Sequence, residues 1–108
     1  MAADIETVNR AIESYVADVM KIMRIDKAYL YGPYAKGTYH EHSDVDICFF
    51  SSEFEEQRTV DILTQLISLS RNYKDIDIEP RAFPTSAIEA GNPFVNTVIS
   101  TGREITAA

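Results

Sequence analysis

The chain contains one cysteine, no tryptophan, four glycines and four prolines in 108 residues. Each scarcity excludes something. A lone Cys48 permits no intramolecular disulfide and none of the multi-cysteine zinc frameworks. So little Gly and Pro, beside 45% hydrophobic residues, excludes a low-complexity or disordered polypeptide. No apolar run approaches the roughly 20 residues of a membrane-spanning helix, so no membrane role is expected. Positive charge is also scarce: 10 Lys and Arg stand against 17 Asp and Glu, a net charge of −7. The basic residues are scattered from Arg10 to Arg103. Phosphate-backbone recognition needs them clustered, so direct DNA or RNA binding is not expected. The opening MAADIETVNR is acidic and polar, unlike a secretory signal, and the expected location is cytoplasmic. The length suits one domain, residues 1–108, with one core.

Hydrophobic periodicity gives the outline. Ile5, Val8, Ile12, Val16, Val19, Met20 and Met23 recur at helical steps, predicting an amphipathic helix over about 4–23 with Asp4 as N-cap. Tyr15, beside that stripe, is expected at the rim of the core. Strands are predicted at Lys27–Tyr31, Asp44–Phe50 and Asp75–Phe83. The second is apolar on both faces beyond Asp46, which implies cover on both sides. A helix over about 53–70 is predicted behind a capping box of Ser52 and Glu55, and a short one behind Ser86 and Glu89. Asn92-Pro93 pairs an N-cap with proline at the first position of a last helix, Pro93–Thr101, which Gly102 closes. Residues 103–108 are expected to be a final extended piece or a frayed end. The fold class is α/β (α+β by some labels), a small mixed sheet of three to four strands packed with helices.

The chemistry concentrates in AYLYGPYAKGTYHEHSDVDICFF, residues 28–50. Asp44 and Asp46, two apart on a strand, share a face at the edge of a buried segment. Such a pair needs a cation, a shared proton or open water. Gly32 permits a sharp turn before them. His40 and His42 lie in the polar connection and are expected to be exposed loop residues. Cys48 shares the carboxylate face and is expected to be a small core filler.

Gly32-Pro33, ten further residues and Asp44-Val45-Asp46 resemble the Gly-Ser-x10-Asp-x-Asp signature of the DNA polymerase beta-like nucleotidyltransferases. Ala35-Lys36-Gly37-Thr38, Ser43, Ile78-Glu79-Pro80 and Asn92-Pro93-Phe94 through Ile105 are similar to the small, single-domain (minimal, or MNT-type) members. One departure stands in the motif: its Ser is Pro33 here. The resemblance implies a nucleotidyltransferase fold and a Mg²⁺-dependent enzyme using two ions and ATP or another NTP. Its activity would be transfer of AMP to a hydroxyl acceptor. Asp44 and Asp46 would be catalytic metal ligands, and the third strand would give the third. Asp77 is favoured over Glu79 because a short, rigid carboxylate suits a two-metal clamp, and Asp75 ranks behind both. Gly32, Pro33, Lys36 and Ser43 would line the nucleotide, with free N–H groups of a short helix facing the triphosphate. In the minimal group such a chain often pairs with a helical HEPN-like protein as the antitoxin half of a toxin–antitoxin pair, and a homodimer is the alternative partner. A rival reading is a nucleotide-binding or protein-binding antitoxin weakened in catalysis, since proline offers neither hydroxyl nor N–H.

Overall fold

The computed structural model describes residues 4–40 and 42–106. Helix α1 spans Ile5–Ile22, and Asp4 caps it by accepting a hydrogen bond from the Thr7 N–H at 2.8 Å. Then come β1 (Lys27–Tyr31), a one-turn helix α2 (Pro33–Lys36), β2 (Val45–Ser51) and a 3-10 turn, Ser52–Glu55. Helix α3 (Thr59–Ser70), β3 (Ile78–Pro84), a second 3-10 turn (Thr85–Ile88), α4 (Pro93–Thr101) and β4 (Arg103–Glu104) complete the order. The sheet runs β3-β2-β1-β4. β1 pairs antiparallel with β2 and with β4, while β2 and β3 run parallel. It is therefore a mixed four-stranded sheet, as expected of an α/β chain.

Strand alternation divides the core in two. Val45, Ile47 and Phe49 of β2, with Ala28, Leu30 and Ile78, pack beneath Val8, Ile12, Val16 and Val19 of α1 and Ile62 and Leu66 of α3. Cys48 and Phe50 face the other way and pack against Val95 and Val98 of α4. Six of the seven β2 side chains, all but Asp46, are fully buried. Each large apolar side chain so placed contributes about 1.5–3 kcal/mol, which makes β2 the spine of the domain. No described helix is long and apolar enough to cross a membrane.

Several local expectations change. Tyr15 is not at the rim but fully buried, its ring edge-on to Phe49 and Tyr73. Its hydroxyl donates to the Leu66 carbonyl at 2.8 Å, which satisfies the one polar atom that burial would otherwise strand. The helix expected over 53–70 is two pieces, a 3-10 turn and α3. Neither capping box forms. Ser51, not Ser52, caps the 3-10 turn by accepting from the Glu53 N–H. The Ser52 N–H instead donates to Asp26, and the Ser86 hydroxyl donates to Glu55 rather than to its own turn. Asp26 also accepts from Thr85, so one carboxylate gathers the ends of β2 and β3 at the entrance of β1. These bonds hold its pKa below 3.8.

The third strand starts at Ile78, later than expected. Asp75 lies in the preceding turn and Asp77 immediately before the strand, where the Asp77 carbonyl accepts from the Val45 N–H at 2.8 Å. Asn92 caps α4 through the N–H groups of Phe94 and Val95. Gly102 closes that helix with φ −91, not in the left-handed region. Glycine is needed there for space, since a Cβ would overlap the carbonyls of Val98 and Leu30. The expected final extended piece is β4, after which the Ile105 N–H still donates to the Ala28 carbonyl at 2.8 Å; Ala107 and Ala108 lie outside the described residues.

Candidate functional site

Sheet register explains how the acids meet. In the parallel pairing Asp46 stands opposite Glu79 and Val45 opposite Ile78. Asp44 and Asp77 precede those partners by one alternation, so all four carboxylates project from the same face at the starts of two neighbouring strands. Carboxylate oxygens of Asp44, Asp77 and Glu79 lie within 4.8 Å of one another, and all three residues are exposed. Both candidates for the third position therefore reach Asp44. Asp75 is exposed in the turn and is not part of this group.

Asp46 is set differently. It is half-buried and leans against Gly32, where a Cβ would overlap its Oδ2. Gly32 adopts φ 75 and ψ −157, a conformation that L side chains rarely accept. The turn thus serves two needs at one residue: it reverses the chain after β1 and leaves room for a carboxylate. Partial burial, with the charges of Asp44 and Glu79, pushes the Asp46 pKa up to about 6, against the opposing pull of Arg81. Asp77 is likewise raised, first by a hydrogen bond with Asp44 and then by burial. Carboxyls crowded enough to retain protons are a site that a cation would relieve. The donors are all hard oxygens, which fit Mg²⁺.

The expected phosphate cradle is thinner than its motif implies. Pro33 opens α2 and has no N–H. The N–H groups of Ala35 and Lys36 both bond the Gly32 carbonyl at 3.1 Å, which leaves that of Tyr34. The expectation of several free donors facing a triphosphate is therefore corrected. Lys36 is exposed at the end of the turn. Ser43 closes the loop before β2: its hydroxyl accepts from the His40 N–H at 2.8 Å, and its own N–H reaches the His40 carbonyl at 3.0 Å. His40 and His42 are exposed, with the His42 N–H donating to His40 Nδ1. Cys48 is fully buried, and burial raises its thiol to about 12, so it is a core residue without thiolate character.

Arg81 is the residue that the sequence did not single out. It lies two beyond Glu79 on the same face, opposite Cys48. Its guanidinium sits 5.4 Å from the Phe94 ring centroid. Burial and the Asp46 charge raise Tyr31 to about 12. The signal available in the sequence was the alternation Asp77, Glu79, Arg81, which puts one cation in line with the acids.

The fold resembles that of a Sulfolobus solfataricus protein assigned as a nucleotidyltransferase, with a TM-score of 0.66 and 16% identity over 93% of this chain and 80% of that one. A second structure, also assigned as a nucleotidyltransferase, gives a TM-score of 0.49 and 17% identity over 94% of this chain and 96% of that one. No curated protein sequence matches significantly. The family model described as "Polymerase beta, Nucleotidyltransferase" matches residues 12–107. By a match spanning the sheet, the Gly32 turn and all four carboxylates, the chain belongs to the polymerase beta nucleotidyltransferase family.

Proposed function

We propose that this domain is a Mg²⁺-dependent nucleotidyltransferase that moves AMP from ATP to a hydroxyl acceptor. The convergence of Asp44, Asp77 and Glu79 within 4.8 Å, with Asp46 beside them, carries the reading. In this reaction the acceptor hydroxyl gives up its proton to solvent as its oxygen bonds to the α-phosphorus, the bond from the α-phosphorus to the oxygen bridging to the β-phosphate breaks, and pyrophosphate leaves. Asp44 would hold the ion jointly with Asp77, Glu79 and Asp46, leaving Asp77 and Glu79 as alternatives for the principal third ligand. Bound Mg²⁺ would supply charge stabilisation to the phosphoryl oxygens. The role of the chain is positioning: two rigid strand starts fix the carboxylates relative to the Gly32 turn. ATP as donor rests on the resemblance to the minimal members. The test is calorimetric titration with ATP and Mg²⁺. Binding should require Mg²⁺ and weaken about tenfold or more in Asp44→Asn at unchanged melting temperature. Equal affinity in wild type and Asp44→Asn would overturn the site.

The exposed acids favour completion by a second protein, and a helical HEPN-like partner offering the acceptor hydroxyl is the reading we attach, in a toxin–antitoxin pair. Intact-mass measurement of co-expressed chains would show an added AMP on the partner. A homodimer in which one copy covers the other would instead show self-association without a modified partner.

A catalytically weakened module is the second reading, and Pro33 favours it. Serine there would restore an N–H and a hydroxyl, each charge-assisted bond to phosphate being worth about 1.5–3 kcal/mol. Pro33→Ser should therefore raise the transfer rate about tenfold or more. An unchanged rate would show that the phosphate site does not need those donors.

A further inference from the structure

A nucleotide entering this site meets four carboxylates on a chain of net charge −7 and a turn poor in N–H donors. Divalent ions offset part of that repulsion. Arg81 is placed to offset more. Its guanidinium is held over the Phe94 ring at 5.4 Å. Phe94 is itself fixed edge-on to Tyr31 at 5.6 Å and beside Phe83 at 5.7 Å. The ion pairs among the described residues, Lys21 with Asp18 and Arg24 with Asp26, do not involve Arg81. A cation held over an uncharged ring keeps its planar fork of donors for an anion, and it does not collapse onto the neighbouring acids.

Building on the nucleotidyltransferase reading, we propose that Arg81, braced by Phe94, binds the phosphates of the nucleoside triphosphate and takes over the donor role that Pro33 cannot perform. One strand step separates it from Glu79 along the same face, so it borders the acids without occupying their centre. Guanidinium and phosphate match in bidentate geometry, which lysine reproduces only as a point charge.

Calorimetry with Mg²⁺ alone, Mg²⁺-pyrophosphate and Mg²⁺-ATP tests this on wild type, Arg81→Met and Arg81→Lys. Methionine keeps an apolar stem on Phe94. Arg81→Met should lose about tenfold or more in affinity for pyrophosphate and for ATP, yet bind Mg²⁺ alone at least as well as wild type. Arg81→Lys should fall between the two. Undiminished pyrophosphate and ATP binding by Arg81→Met, in a wild type that binds both, overturns the Arg81 assignment alone. Equal loss of Mg²⁺ and pyrophosphate binding shows a scaffold role and also overturns it. A wild type that binds neither pyrophosphate nor ATP with Mg²⁺ overturns this inference and the nucleotidyltransferase reading together. Arg81→Lys matching wild type on both phosphates would rule out bidentate recognition should Arg81→Met fail to fold.

Discussion

Asp46→Asn is expected to stabilise the ion-free protein at neutral pH while abolishing nucleotidyl transfer. The Asp46 pKa is about 6 in the folded chain, raised from 3.8. Between those values the folded state binds more protons than the unfolded state, so stability falls as pH rises across that window and stays low above it. Each pKa unit corresponds to about 1.36 kcal/mol. Discounted for partial exposure, the carboxylate costs about 1–2 kcal/mol at neutral pH. Asparagine removes that cost, which should raise the melting temperature by about 4–10 °C for a domain of this size. The experiment is a series of thermal melts in chelator between about pH 5 and about pH 8. Wild type should lose stability from about pH 5 until Asp46 is ionised and then level off, and Asp46→Asn should lose less, keeping only the smaller decline from Asp77, whose pKa is raised by Asp44. Mg²⁺ should reverse the wild-type trend, since a ligand bound only by the folded state stabilises it. Asp26 acts with the opposite sign. Its pKa is lowered from 3.8, so its contribution is present above that value and lost as pH falls through its folded pKa. The two effects therefore separate along the pH axis. A wild type whose stability is flat from about pH 5 to 8 in chelator, with Asp46→Asn melting no higher, would show that this carboxylate is not strained.

Gly32→Ala is the substitution with the largest expected effect on catalysis outside the carboxylates. Its conformation, φ 75 and ψ −157, lies in a region almost exclusive to glycine, so alanine there costs about 1–3 kcal/mol. The new methyl group would also overlap Asp46 Oδ2. That atom ends a short side chain, so the carboxylate swings aside rather than the backbone breaking. Displacement of about 1 Å can reduce a rate about a hundredfold. The control is Gly37→Ala. Gly37 has φ 76 and ψ 14, and a Cβ there meets nothing within 4 Å. Gly37→Ala should cost about 1 kcal/mol in stability and leave the rate alone. Equal rate losses in the two variants would assign the effect to the loop as a whole rather than to the Asp46 contact.

How far the sequence reached depended on whether a signal was local. β1 was read to its observed bounds, Lys27–Tyr31, because an apolar run ends at a glycine turn. The Asp4 and Asn92 caps were legible because each acts on its own first turn. The Ser52 and Ser86 boxes had the same spacing but failed through contacts across the fold, with Asp26 and Glu55 drawing those groups away. Tyr15 shows the same limit. Helical spacing placed it beside the apolar stripe, while the docking of α3 and β2 buried it completely. At the site, the shared face of Asp44 and Asp46 followed from alternation alone. The meeting of Asp77 and Glu79 with Asp44 needed the β2–β3 register, and Arg81 needed both register and the position of α4.

The parallel pairing of β2 and β3 also bears on how the molecule is assembled. Antiparallel β1 and β2 are joined by a short connection and can zip locally, whereas β3 reaches its place only after α3 has crossed over the sheet. Pairings that close such long loops form late, because their entropy cost precedes their reward. The carboxylates proposed to hold Mg²⁺ are split across this last seam, with Asp44 and Asp46 on one side and Asp77 and Glu79 on the other. A nascent or partly folded chain thus carries only half of the cluster, and a site assembled from all four carboxylates would be a property of the finished fold.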